Sequence, residues 1–198
     1  METRRRVVDA AEALFTRDGY ATTTMAAIAE AADVAVQTLY ASFGTKRAIL
    51  TELLEVRITG DERVRVLQEQ EDWQAMEREP DARRQIALFA AIATRIGSRS
   101  AALLEVMAAA AGADPEIAEM YRRQQQARYK DQRRVARTLA RTGALRPELS
   151  EAQAADILWA LVNTRTYRAL VHQRRWSAVD YERWLADLLT RALLTEVG

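Results

Sequence analysis

The chain has 198 residues, 49% of them hydrophobic, with 7 glycines, 3 prolines, no cysteine and a formal net charge of +1. That length and composition allow a sizeable, helix-rich core, give no general attraction to nucleic acid, and exclude disulfides and thiolate metal sites. No run reaches the roughly 18 uncharged apolar residues of a membrane span, and Arg4-Arg5-Arg6 is not followed by a signal-peptide apolar core, so the expected location is the cytoplasm, without a membrane partner.

A first helix is expected near Arg4 to Asp18, with Val7, Val8, Ala11, Leu14 and Phe15 on one broad face and Gly19 at its end. The stretch from Thr22 to Lys46, TTTMAAIAEAADVAVQTLYASFGTK, then reads as two short helices joined by a turn. Thr24 is placed to cap the first, and Met25, Ile28, Ala29 and Ala32 share one face. Ala32-Asp33-Val34-Ala35 breaks the pattern. Leu39 and Phe43 mark the buried side of the second helix, which leaves Gln37, Thr38, Ala41 and Ser42 outward.

A helix that presents amides, hydroxyls and methyl groups suits the major groove of DNA, where those groups meet base edges and the thymine methyl. Tyr40 offers a hydroxyl to a phosphate, a contact that positions without specifying. Gly44-Thr45-Lys46 leads into another helix whose free amides, capping Thr45 and Lys46 ammonium read as a phosphate-binding end. Periodicity alone leaves a second reading open, a small helical hairpin whose polar residues are only solvated.

The order of residues from Gly19-Tyr20 through Thr24, Ile28-Ala29, Val34, Thr38-Leu39-Tyr40, Phe43 and Lys46 resembles the DNA-binding domain of the TetR (tetracycline repressor) family of transcriptional regulators over roughly residues 4 to 57. The resemblance implies that Thr24 and Met25 lie near the DNA backbone, that Val36, Gln37, Thr38, Ala41 and Ser42 face the groove, and that Tyr40, Thr45 and Lys46 grip phosphates. Two residues depart from the family's pattern. Asp33 stands where glycine is usual, although Asp tolerates the left-handed conformation better than most residues, and Ser42 stands where histidine is frequent.

Charge does not announce this function, because residues 1 to 46 hold five Lys or Arg and six Asp or Glu. The local attractions are Lys46-Arg47 and the Arg4-Arg5-Arg6 cluster, readable as a basic arm on DNA or as the solvated start of a helix.

From Lys46 a connecting helix runs through Ile49, Leu50, Leu53 and Leu54 to about Thr59, where Gly60 interrupts it and a charged stretch begins. Beyond Glu69, capping chemistry marks the boundaries: Pro80, Asp114-Pro115, Gly143, the Ser150/Gln153 capping box and the weaker Ser177/Asp180 pair. Five helices are expected, at about 80–97, 99–112, 115–142, 151–174 and 178–195. The fold class is all-α. A three-helix helix-turn-helix DNA-binding domain is expected over 1–46, and a helical regulatory, ligand-binding and dimerisation domain over 47–198.

The last two helices have wide apolar faces, with Ile157, Leu158 and Leu161 on one and Trp184, Leu185, Leu188 and Leu189 on the other. Such a pair suggests a self-complementary homodimer surface, which the resemblance also implies. It implies further that a small-molecule effector enters the C-terminal domain. The lining candidates are Phe89, Ile92 and Ile96; Leu104 and Met107; Tyr121, Gln125 and Tyr129; and Trp159, Asn163 and Tyr167, each of which also reads as ordinary core. Asn163, amid apolar neighbours, must find a partner. The lone His172 reads as solvated or capping, and no metal site or cofactor is expected. Neither a nucleophile elbow nor a phosphate loop nor a histidine pair is present, so the chain is not expected to be an enzyme. The sequence thus points to a regulator, most simply a repressor that binds a palindromic operator in double-stranded DNA as a homodimer; the rival is a helical scaffold or ligand-binding protein without DNA binding.

Overall fold

Val7, Val8, Ala11, Leu14 and Phe15 all face inward from α1 (Glu2–Asp18), and against them pack Ile28 and Ala29 of α2 (Met25–Ala31), Leu39 and Phe43 of α3 (Val36–Phe43) and Ile49, Leu50, Leu53 and Leu54 of α4 (Lys46–Thr59). This is a computed structural model, which describes residues 2–60 and 67–195; the first part of the charged stretch after Gly60, residues 61–66, lies outside the described residues. Further along the chain come α5 (Glu71–Arg78), α6 (Ala82–Ala110), α7 (Pro115–Arg141), α8 (Glu151–Leu161), α9 (Thr164–Tyr167) and α10 (Ala178–Leu193), with a 3-10 turn at Leu67–Glu69 and a π-helical segment at Arg168–Gln173. The described residues form no β-strand, only one isolated antiparallel bridge between Leu145 and Leu194.

The chain divides into two compact units. The first holds residues 1–65 and 102–121, the second residues 66–101 and 122–198. The connecting helix α4 thus packs with the first three helices, although the sequence division at residue 46 sets it apart. Leu103, Leu104, Met107 and Ile117 complete the core of this first unit. The second core gathers Trp73 and Met76 from α5, Ile86, Phe89 and Ile92 from α6, Val135 and Leu139 from α7, Leu158 from α8, and Tyr181, Leu185, Leu189 and Leu193 from α10.

Three expected boundaries differ. The break near residues 97–99 is absent, because α6 runs unbroken through Gly97. Glycine there admits the Tyr167 ring, which would lie 2.9 Å from an added Cβ. The helix α5 was not foreseen; its eight residues offer only Trp73 and Met76 as buried anchors, too few for a periodic signal. The helix expected over 151–174 breaks after Leu161. There Asn163 caps α9 by accepting from Thr166 N–H at 2.9 Å and donates its amide to Ala160 O at 2.8 Å. Asn163 has therefore found backbone partners.

Within the second unit, Gln68 donates to the Asp131 carboxylate of α7. Burial, only partly offset by that hydrogen bond and by the charge of Arg134, pushes the Asp131 carboxyl up to about 6 from 3.8. A group that holds its proton more tightly when folded favours folding fully below its unfolded pKa, and that support is lost as pH rises through the folded value. Asp131→Asn is therefore expected to raise stability at pH 7.5 by about 2 kcal/mol, with the gain vanishing near pH 4. Thermal melts of both proteins at the two pH values check this, and an equal gain at both would refute it.

Candidate nucleic-acid interface

Thr24 caps α2 by accepting from Ala27 N–H at 3.1 Å, and Thr45 caps α4 by accepting from Ala48 N–H at 3.1 Å. Each hydroxyl still has its proton to give, and both side chains are exposed. Between them the chain makes the expected turn at residues 32–35. Asp33 takes φ +53°, in the left-handed region that glycine otherwise supplies. Asp33 N–H donates to Glu30 O at 3.1 Å and Val34 N–H to Ala29 O at 3.0 Å, closing the turn on the end of α2.

The turn delivers α3 with Leu39 and Phe43 buried and Gln37, Thr38, Tyr40, Ala41 and Ser42 exposed, Tyr40 at 52%. Val36 is half-buried and packs against the first core. The N-cap of α3 is Ala35, which offers no side-chain acceptor, so the first-turn amides have no side-chain cap. Small polar side chains and uncapped amides thus share one exposed helix end, as a groove-reading helix requires. Met25, at the start of α2, is half-buried against the same core.

Lys46 differs from expectation. Its ammonium turns away from the amides of its own helix, donates to Tyr20 O at 2.6 Å and to Thr23 O at 2.7 Å, and lies 4.3 Å from the centre of the Tyr20 ring. Burial holds its pKa below the ordinary lysine value, an effect opposed by the charge of Asp114. This lysine staples the start of α4 to the α1–α2 loop, beside the Thr24 cap.

The Arg4-Arg5-Arg6 cluster forms the first turns of α1 rather than a free arm. Arg4 pairs with Glu52 and stacks on Phe43 with its guanidinium carbon 4.4 Å from the ring centre. Arg5 pairs with Asp9 at 3.8 Å and Arg6 with Asp33 at 3.7 Å. Arg47 pairs with Glu116.

Residues 7–53 match the family profile described as bacterial regulatory proteins, tetR family. Over these residues the chain carries a DNA-binding domain of the tetR type. The profile coincides with the four helices whose packing presents α3, and it leaves the non-DNA-binding rival without support. No curated protein sequence matches the regulator. Its fold is that of several solved structures. A putative transcriptional regulator from Saccharomonospora viridis in complex with choline is 20% identical, with a TM-score of 0.72 over 98% of this chain and 99% of that one. The SmeT–triclosan complex is 21% identical, with a TM-score of 0.75 over 99% and 93%. NalD, the secondary repressor of the MexAB-OprM multidrug efflux pump in Pseudomonas aeruginosa, is 21% identical, with a TM-score of 0.71 over 98% and 98%. The all-α fold of these structures therefore extends over both units.

The effector candidates divide between the units. Leu104 and Met107 are buried in the first core and Tyr121 packs against it; Phe89, Ile92 and Tyr167 are buried in the second, with Ile96 and Tyr129 packed against it. Tyr129 points outward and donates to Asp156 Oδ1 at 2.8 Å, and Trp159 is 41% exposed. Gln125 is half-buried. Gln124, next to it, is half-buried as well, and Gln132, two turns further along α7, is buried. Their Oε1 atoms, like Thr94 Oγ1 on α6, are buried without a hydrogen-bond partner among the described residues. Sequence reasoning passed over these three; a lone Thr in an apolar stretch was the signal for Thr94, whereas Gln124 is followed by Gln125 and Gln126 and nothing local sets it apart.

Of the expected dimer residues, Leu158, Leu185 and Leu189 are fully buried within their own chain. That part of the expectation is corrected, since a wide apolar stripe fills the core before it reaches a surface. Ile157, Leu161, Trp184 and Leu188 remain half-exposed, and Trp176 stands edge-on to Trp184 with ring centres 6.0 Å apart. His172 is exposed at the end of the π-helical segment, with its ring 5.7 Å from that of Tyr167.

Proposed function

We propose that the regulator is a cytoplasmic repressor that occupies a palindromic operator as a homodimer, inserts α3 into the major groove, and releases or binds DNA in response to a small molecule held by the second unit. The exposed face of Gln37, Thr38, Ala41 and Ser42, set by the burial of Leu39 and Phe43, is the observation that carries this reading. Tyr40, Thr45 and Thr24 supply hydroxyl donors for phosphates, with Val36 and Met25 beside them, and Lys46 holds the supporting loop. A second copy supplies the second recognition helix, because one short helix alone gives little affinity.

Half-exposed Ile157, Leu161, Trp184 and Leu188 and exposed Trp159 support the dimer surface. An effector within the second unit is supported by the buried, unpartnered oxygens of Thr94, Gln124 and Gln132. Similar structures hold choline in one case and triclosan in another.

Selection of duplex fragments by the purified protein gives the operator, and mobility shifts then test the groove assignment. Gln37→Ala is expected to cost about 1–3 kcal/mol on the preferred site and to relax discrimination at one base pair. Unchanged operator affinity in both Gln37→Ala and Thr38→Ala would remove α3 as the reading helix.

A further inference from the structure

The outer face of α7 carries an unusual charge pattern. Lys130, Arg133, Arg134, Arg137 and Arg141 recur at helical spacing and, with Glu77 of α5, line a cavity of about 500 Å³ in the second unit. Lys130–Arg134, Arg133–Arg137 and Arg137–Arg141 are like-charged pairs four residues apart, each unfavourable to an isolated helix. Elsewhere the same spacing brings opposite charges together, as in Arg5–Asp9 and Asp187–Arg191. A merely solvated face would be expected to follow that alternating pattern.

The groove's carboxylate does not balance its cations. Glu77 is engaged bidentately by Arg134, and Arg137 reaches Glu151 only at 3.4 Å. Lys130, Arg133 and Arg141 make no ion pair within 4 Å among the described residues, although the charge of Arg141, like that of Arg134, acts on Glu77. Asp131, the acidic residue within this segment of α7, is turned to Gln68. The volume falls in the range of small-molecule sites, and planar guanidinium forks match phosphoryl oxygens two at a time.

We propose that this groove is an anion site for a small molecule carrying two or more phosphoryl groups. Arg133 and Arg141 supply the free forks, Lys130 a third charge, and Glu77 fixes the orientation of Arg134 at the wall. None of the α3 residues and none of the buried oxygens assigned above to the effector is among the residues that line it.

Titration calorimetry on the full chain, at physiological ionic strength, tests it with inorganic pyrophosphate as the probe. Saturable binding of one pyrophosphate per chain is expected, at least tenfold weaker in Arg133→Ala/Arg141→Ala and unchanged in Arg83→Ala/Arg84→Ala, which removes the same charge from the exposed start of α6. Equal weakening in both double variants, no saturable binding, or succinate binding as tightly as pyrophosphate would overturn the proposal. So would a duplex of unrelated sequence that loses affinity in Arg133→Ala/Arg141→Ala while pyrophosphate does not bind. None of these outcomes depends on operator recognition, which is read separately with the Gln37 variant.

Discussion

Replacing Lys46 with alanine is expected to lower the melting temperature by about 5–10 °C, on the basis that 1 kcal/mol moves a chain of this size by about 2–4 °C. The variant leaves the carbonyls of Tyr20 and Thr23 without the charged donor that now reaches both. Hydrogen bonds to a charged group contribute about 1.5–3 kcal/mol each, and the contact with the Tyr20 ring adds about 0.5–1 kcal/mol. Against this stands a gain, since the variant also removes a partly desolvated cation from the first turn of a helix, where its charge opposes the dipole by about 0.3–1 kcal/mol. Water replaces part of what is lost in a half-buried site, so the net is about 2–3 kcal/mol.

Duplex affinity should fall with it, and by the same factor on the preferred and on a scrambled site, because the staple holds the Thr24 cap and reads no base. Melting curves and mobility shifts on the two duplexes check both halves. A lysine that served only to contact phosphate would give the opposite pattern, with weaker binding at an unchanged or raised melting temperature. Lys46→Met sharpens the comparison by keeping the stem packed on Tyr20 while removing the donor.

The same residue shows where sequence reading reaches and where it stops. Thr24, Thr45, Asp114, Ser150 and Ser177 all cap helices as expected, and Ser150 forms both bonds of its box with Gln153, at 3.0 and 3.2 Å. Capping is legible because donor and acceptor lie within three residues of each other. The outward face of α3 was legible for a similar reason, since Leu39 and Phe43 fix its rotation. Lys46 was not, because its partners lie in a loop far back along the chain and nothing local says which way a long flexible stem turns. Leu158, Leu185 and Leu189 could not be assigned to core or interface for want of knowing which elements sit opposite them. Val162-Asn163 hid the break between α8 and α9, since neither glycine nor proline marks it, and the Asn163 side chain makes the cap on which the new helix starts.

Gly97→Ala should destabilise the second unit even though alanine is the better helix former. The new methyl would lie 2.9 Å from both Cγ and Cδ2 of Tyr167 and 3.3 Å from its Cβ. Cβ and Cγ keep their places when the ring turns about the Cβ–Cγ bond, so a turn of the ring cannot clear the clash. Nor is the ring free to move, being 4% exposed and standing edge-on to Tyr181 with centres 5.0 Å apart. Overpacking of this kind costs about 1–3 kcal/mol, against about 1 kcal/mol gained in helix propensity, which leaves a net loss of about 1–2 kcal/mol. Gly97→Val adds bulk and a β-branch and should cost more. Gly112→Ala, whose Cβ would meet only Ala109 O at 3.7 Å, should be close to neutral. If the clash is with Tyr167, Gly97→Ala must cost less in a Tyr167→Leu background than in the parent, and a double-mutant cycle of denaturant midpoints measures that coupling. Additive costs would show that Gly97 is required for another reason, and that its place in the middle of α6 does not come from the approach of α9.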